Sequence, residues 1–498
     1  MSNNMKIYLK KAVLLLALTA ILSAPFTASA QENEYYYADV NCDGVVNVAD
    51  MVIVIDYILK GESGTIKPDP DKTYVSAREY GAVGDGITDD THALENLFAA
   101  ACQLKKTVFF EPGTYLIKRS LMLQSGMEIC GSEATLMKKQ AVTTMLTANA
   151  VKGQTSIEVA DASGFNEGDQ FFIADDAGVD GCTCGIVESI VGNTINFTNV
   201  INDCQTSFPG CVGNHPSGCM VSTSFALLRS WTARHECDGV SIHDLTLDGN
   251  RVDSEPCSWA NSCIYMDVYR PEGFTAESGI EYRNIQRNLF ARNLVIRNSP
   301  GDGITDYSQG GLVVRDCVIE NSAMHGIHMG ENCSRAMIYN NRLNGNGTVG
   351  SGVFFSQTVN DAEVDNNEIT AFAHGCGMDE SEACVKSILV RRNQFNDITG
   401  DVFAFSTSSA HSGGMLQISN NTIQGLGAVL FTATNLDDIL LDGNEVKTIT
   451  VAPPSVLQVI QCKNVIVSAN QLPSGAAIST PVISTGSIHV IESSNSWN

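Results

Sequence analysis

From Asn293 onward the chain repeats one short pattern of polar and apolar positions: an Asn or Asp, any residue, then an apolar one. It occurs at Asn293-Leu294-Val295, Asp316-Cys317-Val318, Asn341-Arg342-Leu343, Asn367-Glu368-Ile369, Asn393-Gln394-Phe395, Asn421-Thr422-Ile423, Asn444-Glu445-Val446 and Asn470-Gln471-Leu472. The intervals are 23, 25, 26, 26, 28, 23 and 26 residues. Such a unit is too short for strand–helix–strand and fits one coil of three short strands joined by tight turns. Asn and Asp suit those turns because they tolerate the left-handed backbone region, and stacked Asn side chains can hydrogen-bond as a ladder. A second mark is a small residue before an inward apolar one: Gly303-Ile304, Gly326-Ile327, Gly352-Val353. Coils stacked at about 4.8 Å bury a continuous aliphatic core. The pattern predicts an all-β parallel β-helix over residues 231–498; a sandwich would not keep so constant a coil length.

Residues 75–144 read as the start of the same solenoid. The loop Tyr80–Thr91 leads into a helix with Ala93, Leu94, Leu97, Phe98 and Ala101 on one face, and Asp89 or Asp90 is placed to cap it. Thr107–Phe110 reads as a strand and Glu111–Tyr115 as a turn into the next. A helix here covers the open edge that would otherwise recruit other strands. Residues 145–230 break the rhythm; Gly153–Val159 and Gly168–Ile173 read as strands of an inserted β subdomain. Residues 75–130 closely resemble the start of the pectate-lyase superfamily domain shared by rhamnogalacturonase, epimerase-like and phage tailspike proteins. As repeats, the resemblance continues over 238–475. It implies a right-handed parallel β-helix and action on acidic or branched polysaccharides.

The N-terminal segment follows different rules. Lys6, Lys10 and Lys11, the apolar run Ala12–Leu22 and Ala28-Ser29-Ala30 make residues 1–30 a signal peptide, too short in its apolar part to span a membrane and without a lipoprotein cysteine at the cleavage site. The expected location is secreted or periplasmic. In residues 31–62, Asp39, Asn41, Asp43, Asn47 and Asp50 put side-chain oxygens at positions 1, 3, 5, 9 and 12 of a loop with Gly44 at position 6. Val45 adds its carbonyl, the ligand spacing of a calcium loop. Met51, Ile55, Ile58 and Leu59 then form one stripe of a helix. The block resembles one repeat of a type I dockerin, which implies structural calcium and a cohesin-like partner; dockerins carry two repeats and this chain shows one. Residues 63–74, with Pro68 and Pro70, read as a linker. Nothing in the sequence indicates a second, catalytic calcium.

Charge and cysteine content limit the partners. A net charge of −25 disfavours nucleic acid, and no segment past the leader is apolar enough to span a membrane. Sixteen cysteines, all beyond residue 30, suit an oxidising compartment. Close pairs are Cys182 with Cys184, Cys204 with Cys237, Cys257 with Cys263 and Cys376 with Cys384; the alternative is small buried hydrophobes stacked in the fold.

The richest ladder of reactive side chains runs from 297 to 331. Aligning Gly303 with Gly326 stacks Asp302 beside His325 and Thr305 beside His328. Carboxylates near imidazoles do acid/base work, and two separated carboxylates cleave glycosidic bonds. Asp302, Asp306, His325 and His328 are the catalytic candidates; Arg297, Arg315, Tyr307 and Glu331 are the substrate-binding ones. Strand parity puts Asp302 and Asp306 on the inward side of Ile304 unless a turn intervenes, whereas His328 points out. Eleven of 15 Arg fall between Arg229 and Arg342, which suits either carboxylate recognition or pairing with neighbouring acids. Gly301–Ser308 and Met324–Gly330 loosely resemble polygalacturonase coils without their paired aspartates. They also resemble mannuronan C5-epimerases, with Thr305-Asp306-Tyr307 where those have Asp-Pro-His. The expected function is cleavage of a complex, uronate-containing glycan by hydrolysis or β-elimination. The alternatives are C5 epimerisation and a non-catalytic glycan-binding or adhesive solenoid.

Overall fold

The computed structural model describes residues 72–498, apart from 152–153, 175–182, 200–214, 231–236, 267–286, 309, 331–332, 357, 380–383, 408–413, 477, 479 and 498. The leader, the calcium loop Asp39–Asp50 and Glu331 lie outside the described residues. The body is all-β, a parallel solenoid with three strand columns. In the first column thirteen strands succeed one another from Tyr74–Ser76 to Ile488–Ser493. Each partner lies one coil away and runs parallel, as at Val314↔Ile338 and Val364↔Val390.

Alternation of inward and outward residues builds the core. Inward positions of the second column stack Leu136, Leu247, Ile296, Ile319, Leu343, Ile369, Phe395, Ile423 and Val446 in register. All are at most 2% exposed. Gly303, Gly326 and Gly352 stand where the chain enters the third column. A Cβ on Gly303 would lie 2.6 Å from the Gly326 carbonyl, and one on Gly326 equally close to Gly352, so only Gly allows the coils to stack there.

The repeated Asn plays a different part from that expected. Asn293 and Asp316 do take the left-handed conformation, but from Asn341 on that role moves one residue upstream, to Asn340, Asn366, Arg392 and Asn420. The freed Asn turns inward. Asn341, Asn367, Asn393, Asn421, Asn444 and Asn470 are 1–2% exposed. From Asn367 on, each Oδ1 accepts from both the main-chain N and the Nδ2 of the preceding Asn, while that of Asn341 accepts from Cys317 N; for Asn393 the bonds from Asn367 are 2.8 and 2.9 Å. Each Nδ2 also donates to a main-chain carbonyl, as Asn393 does to Val364 at 2.8 Å. The buried Asn side chains are thereby satisfied by the coils on either side.

The N-terminal coil is covered by the helix Thr91–Leu104, which buries Leu94, Leu97, Phe98 and Ala101. The Asp89 carboxylate accepts from Thr91 N at 3.1 Å, while Asp90 turns back to Val83 and Gly84 N. Between Thr143 and Ser222 a six-stranded antiparallel sheet forms its own core, including Phe171, Ile195, Phe197 and Val221. Cys257 and Cys263 are separate thiols, and Cys237 and Cys376 are buried thiols. The other candidate partners have side chains outside the described set.

One catalytic candidate points into the core of the solenoid. Asp306 is 0% exposed and lies in an inward column between Met266 and Met329. Its strand continues unbroken there, so parity holds and the carboxyl enters the core. It accepts from Ser308 N at 2.9 Å and meets Cys333 Sγ at 3.9 Å. Burial pushes its pKa up to about 6, and burial followed by Asp306 itself pushes the Cys333 thiol well above its usual value.

Two stability measurements follow. Asn393→Ala strands the Asn367 donors and the Val364 carbonyl and should cost about 1–3 kcal/mol in denaturant unfolding; an unchanged midpoint would exclude the ladder as a stabilising element. For Asp306, a folded pKa above the unfolded one gives stability that is full at low pH and lost as pH rises from about 4 through about 6. Asp306→Asn should therefore melt higher than the parent at pH 7, the difference vanishing near pH 4.

Candidate functional site

The outward positions of the third column stack Arg229, Tyr265, Thr305, His328, Phe354, Gly377 and Ala404 in register. The alignment Thr305↔His328 is the one expected from Gly303 and Gly326. Polar, aromatic and then small side chains follow one another along the axis, and the reactive groups gather at the change.

Asp302, in the turn before its strand, is fully buried. Its Oδ1 accepts from His325 N at 2.9 Å. Its Oδ2 accepts from Thr305 Oγ1 at 2.7 Å and meets His328 Nδ1 at 2.9 Å. Burial alone would raise this carboxyl, but the adjacent His328, with the bonds from His328 and His325, holds it below the usual range. An ionised carboxylate only accepts, so His328 Nδ1 carries the proton and Nε2 presents its lone pair. That lone pair faces Ser356 Oγ at 2.9 Å and Tyr307 OH at 3.4 Å.

His325 is fixed in the opposite sense. Its Nδ1 accepts from Ser351 N at 2.9 Å, so the neutral ring carries its proton on Nε2. Its ring stacks on Phe354 at 4.1 Å, with an interplanar angle of 8°. Burial pushes its pKa down to about 4, against the pull of Asp302 and with the help of His328 and His374. His325 is thus a neutral hydrogen-bond donor near pH 7, while in a neutral His328 ring the open lone pair is on Nε2.

Asp302, His325 and His328 offer ligand atoms within 4.8 Å of one another, close enough to consider a metal. Their hydrogen bonds argue for an acid–base network instead. The His325 Nδ1 lone pair is taken by Ser351, and the Asp302–His328 contact is filled by a proton. A cation would have to displace both.

The loop preceding the site is clamped from below. Lys138 and Glu255, both with side chains 0% exposed, pair at 2.8 Å. Glu255 also accepts from Ser224 Oγ and from Val252 N. Breaking one side of such a pair strands a buried charge. The anchored loop brings Trp259 against Tyr265 and Tyr307, at 5.7 and 5.6 Å between ring centroids. It also brings Ser262 Oγ to Thr305 Oγ1 at 2.7 Å.

The structure therefore gathers Asp302, His325, His328 and Tyr307, and sends the other candidates elsewhere. Asp306 lies in the core. Arg297 is on the second column, paired with Asp248 at 2.8 Å. Arg315 is on the first column, paired with Asp316 at 2.6 Å. Arg391 and Arg392 flank a recess of about 530 Å³ on the first column and pair with Glu363 and Asp365. For these four Arg, pairing with neighbouring acids is what the structure shows. Ser356, Phe354, Trp259 and Ser351 were not among the expected site residues. Extending the Gly303–Gly326 alignment to Gly352 finds Phe354 beneath His328 and Ser356 two residues on; Trp259 sits in a loop and carries no periodic signal.

Comparison with known proteins agrees with this architecture. The A-module of mannuronan C-5 epimerase AlgE4 from Azotobacter vinelandii superposes with a TM-score of 0.50 at 13% identity, covering 85% of this chain and 97% of that one. Sequence relatives align over short stretches. A non-secreted LysM effector, LysM19, of Penicillium expansum is 42% identical over 57 residues, 11% of this chain. A glucan 1,3-beta-glucosidase of Cochliobolus carbonum is 37% identical over 59 residues, 12% of this chain. The match spans only 4% and 8% of those proteins. The family described as rhamnogalacturonase A/epimerase, pectate lyase-like, matches residues 74–376, well over half of the chain, and with its stacked coils the protein belongs to that family.

Proposed function

We propose that the protein is a polysaccharide-processing enzyme that withdraws a proton from a sugar ring with His328, leading to β-elimination or, if the proton returns on the other face, to epimerisation. The observation that carries the reading is the Asp302–His328 pair, which leaves Nε2 as an oriented base beside the Tyr307 hydroxyl. Tyr307 is the companion acid, and neutral His325 is a donor for charge developing on the substrate. Trp259, Tyr307 and Phe354 supply ring faces of the kind on which sugars pack. Hydrolysis by two carboxylates has less support, because both Asp302 and Asp306 are fully buried and a two-carboxylate mechanism needs both to face the scissile bond. The non-catalytic reading, a glycan-binding solenoid, predicts binding without turnover.

Export through the leader and structural calcium in the Asp39–Asp50 loop belong to the same proposal, as does a secreted or periplasmic location. Among the described residues no helix is long and apolar enough to cross a membrane. A cohesin-like partner is the least supported element, since a single repeat is present.

Incubation with a panel of uronate-containing glycans should give the ultraviolet band of unsaturated uronate, or solvent deuterium on the ring carbon, without hydrolytic reducing ends. His328→Ala should lower kcat by about 10²–10⁴-fold, with Asp302→Asn close behind; full activity in either variant would sink the assignment. Calorimetry of the full chain should show calcium bound at one site and lost in Asp43→Ala. A chain that takes up no calcium retires the loop.

A further inference from the structure

The residue on the far side of His328 is a serine, and the order of contacts is that of a nucleophile, its base and the group that orients the base. Ser356 Oγ lies 2.9 Å from His328 Nε2, and His328 Nδ1 lies 2.9 Å from Asp302 Oδ2. Asp302 is in turn held by the His325 main-chain N and by Thr305 Oγ1. The polarity is fixed: Asp302 accepts, Nδ1 donates, Nε2 accepts, and the serine hydroxyl donates. The three residues come from three successive coils, and stacking alone sets their separations.

The geometry points to an acyl-transfer activity at this site, with Ser356 as nucleophile toward a carboxylic ester borne by a sugar. It shares the Asp302–His328 pair with the reading above but breaks a different bond. Ser356 Oγ adds to the ester carbonyl as its proton passes to His328 Nε2. The tetrahedral adduct collapses by expelling the sugar alcohol, which takes that proton. Water, deprotonated by His328, then attacks the acyl-serine, releasing the acid and returning the proton to Ser356. Tyr307 OH, 3.4 Å from Nε2, donates to the oxyanion.

The position of the hydroxyl depends on Gly330. Ser356 is only 2% exposed, and a Cβ at position 330 would stand 2.2 Å from its Oγ and 3.2 Å from the Tyr307 ring. Only a glycine at position 330 lets the Ser356 hydroxyl pack this closely against the neighbouring coil.

The test is to treat the full chain with a fluorophosphonate probe, map the labelled peptide, and follow p-nitrophenyl acetate hydrolysis alongside chain cleavage of an acetylated glycan. Labelling is expected on Ser356. It should be lost in Ser356→Ala and at least about a hundredfold slower in His328→Ala and Asp302→Asn. Gly330→Ala, whose Cβ would press on the hydroxyl, should move Ser356 Oγ away from His328 and slow labelling, and Ser356→Cys should be alkylated by iodoacetamide in a His328-dependent manner. An unlabelled Ser356 in the folded protein, or ester turnover that survives Ser356→Ala, overturns the proposal. Ester turnover with neither chain cleavage nor solvent deuterium on the ring carbon upholds the triad and removes the proton-abstraction reading; either of those signals with an inert Ser356 does the reverse.

Discussion

The register between neighbouring coils is the constraint from which the rest of the structure follows. A parallel ladder by itself tolerates slippage, because its hydrogen bonds are equivalent along the strand and a shift by two residues keeps the same side chains inside. The buried asparagines remove that freedom. Each Asn closes bonds with a neighbouring Asn of the ladder and with one particular main-chain carbonyl, so a shifted coil would leave several buried polar groups unpaired. Coils from Asn341 onward are locked in this way, and the aliphatic columns stack in register beside them.

The candidate site is a consequence of the same locking. Asp302, His328 and Ser356 are far apart in sequence and lie on a diagonal across three coils. Their contacts are correct only if Thr305 is opposite His328 and His328 opposite Phe354. A slip of one residue would turn His328 into the core and Met329 outward. The site needs no special loop to hold the imidazole, which is anchored through its own strand and the coils on either side.

Much of this was legible in the sequence, and what was not has physical causes. Coil length, the glycines at the column entrance and the alignment of Asp302 with His325 followed from repetition alone. The exact part played by the repeated Asn did not, because left-handed and ladder positions are adjacent and both favour Asn. Asp306 shows the opposite case. Parity said it should point inward, and chemistry said a carboxylate should not; the structure follows parity, and its pKa carries the cost. Arg297 and Arg315 drew attention as cations near the right residue numbers, yet within one coil a separation of 18 residues places them on different columns. Trp259 depends on the buried Lys138–Glu255 pair, a contact across 117 residues with no repeat to announce it.

The site also sits where the solenoid changes its means of support. At the turn occupied by Asn341 and its successors, the earlier coils carry Leu245, Leu294 and Cys317, all buried. Apolar side chains cannot satisfy the turn's polar atoms, and Cys317 makes only a weak approximation, its thiol meeting the Ala291 carbonyl at 3.7 Å. These coils are braced instead from the side, by the loop anchored on Glu255 and by the aromatic cluster of Trp259, Tyr265 and Tyr307. Downstream the ladder makes lateral bracing unnecessary, and the outward column falls to Gly377 and Ala404. The candidate site thus lies where two different solutions to the same problem of buried turns meet.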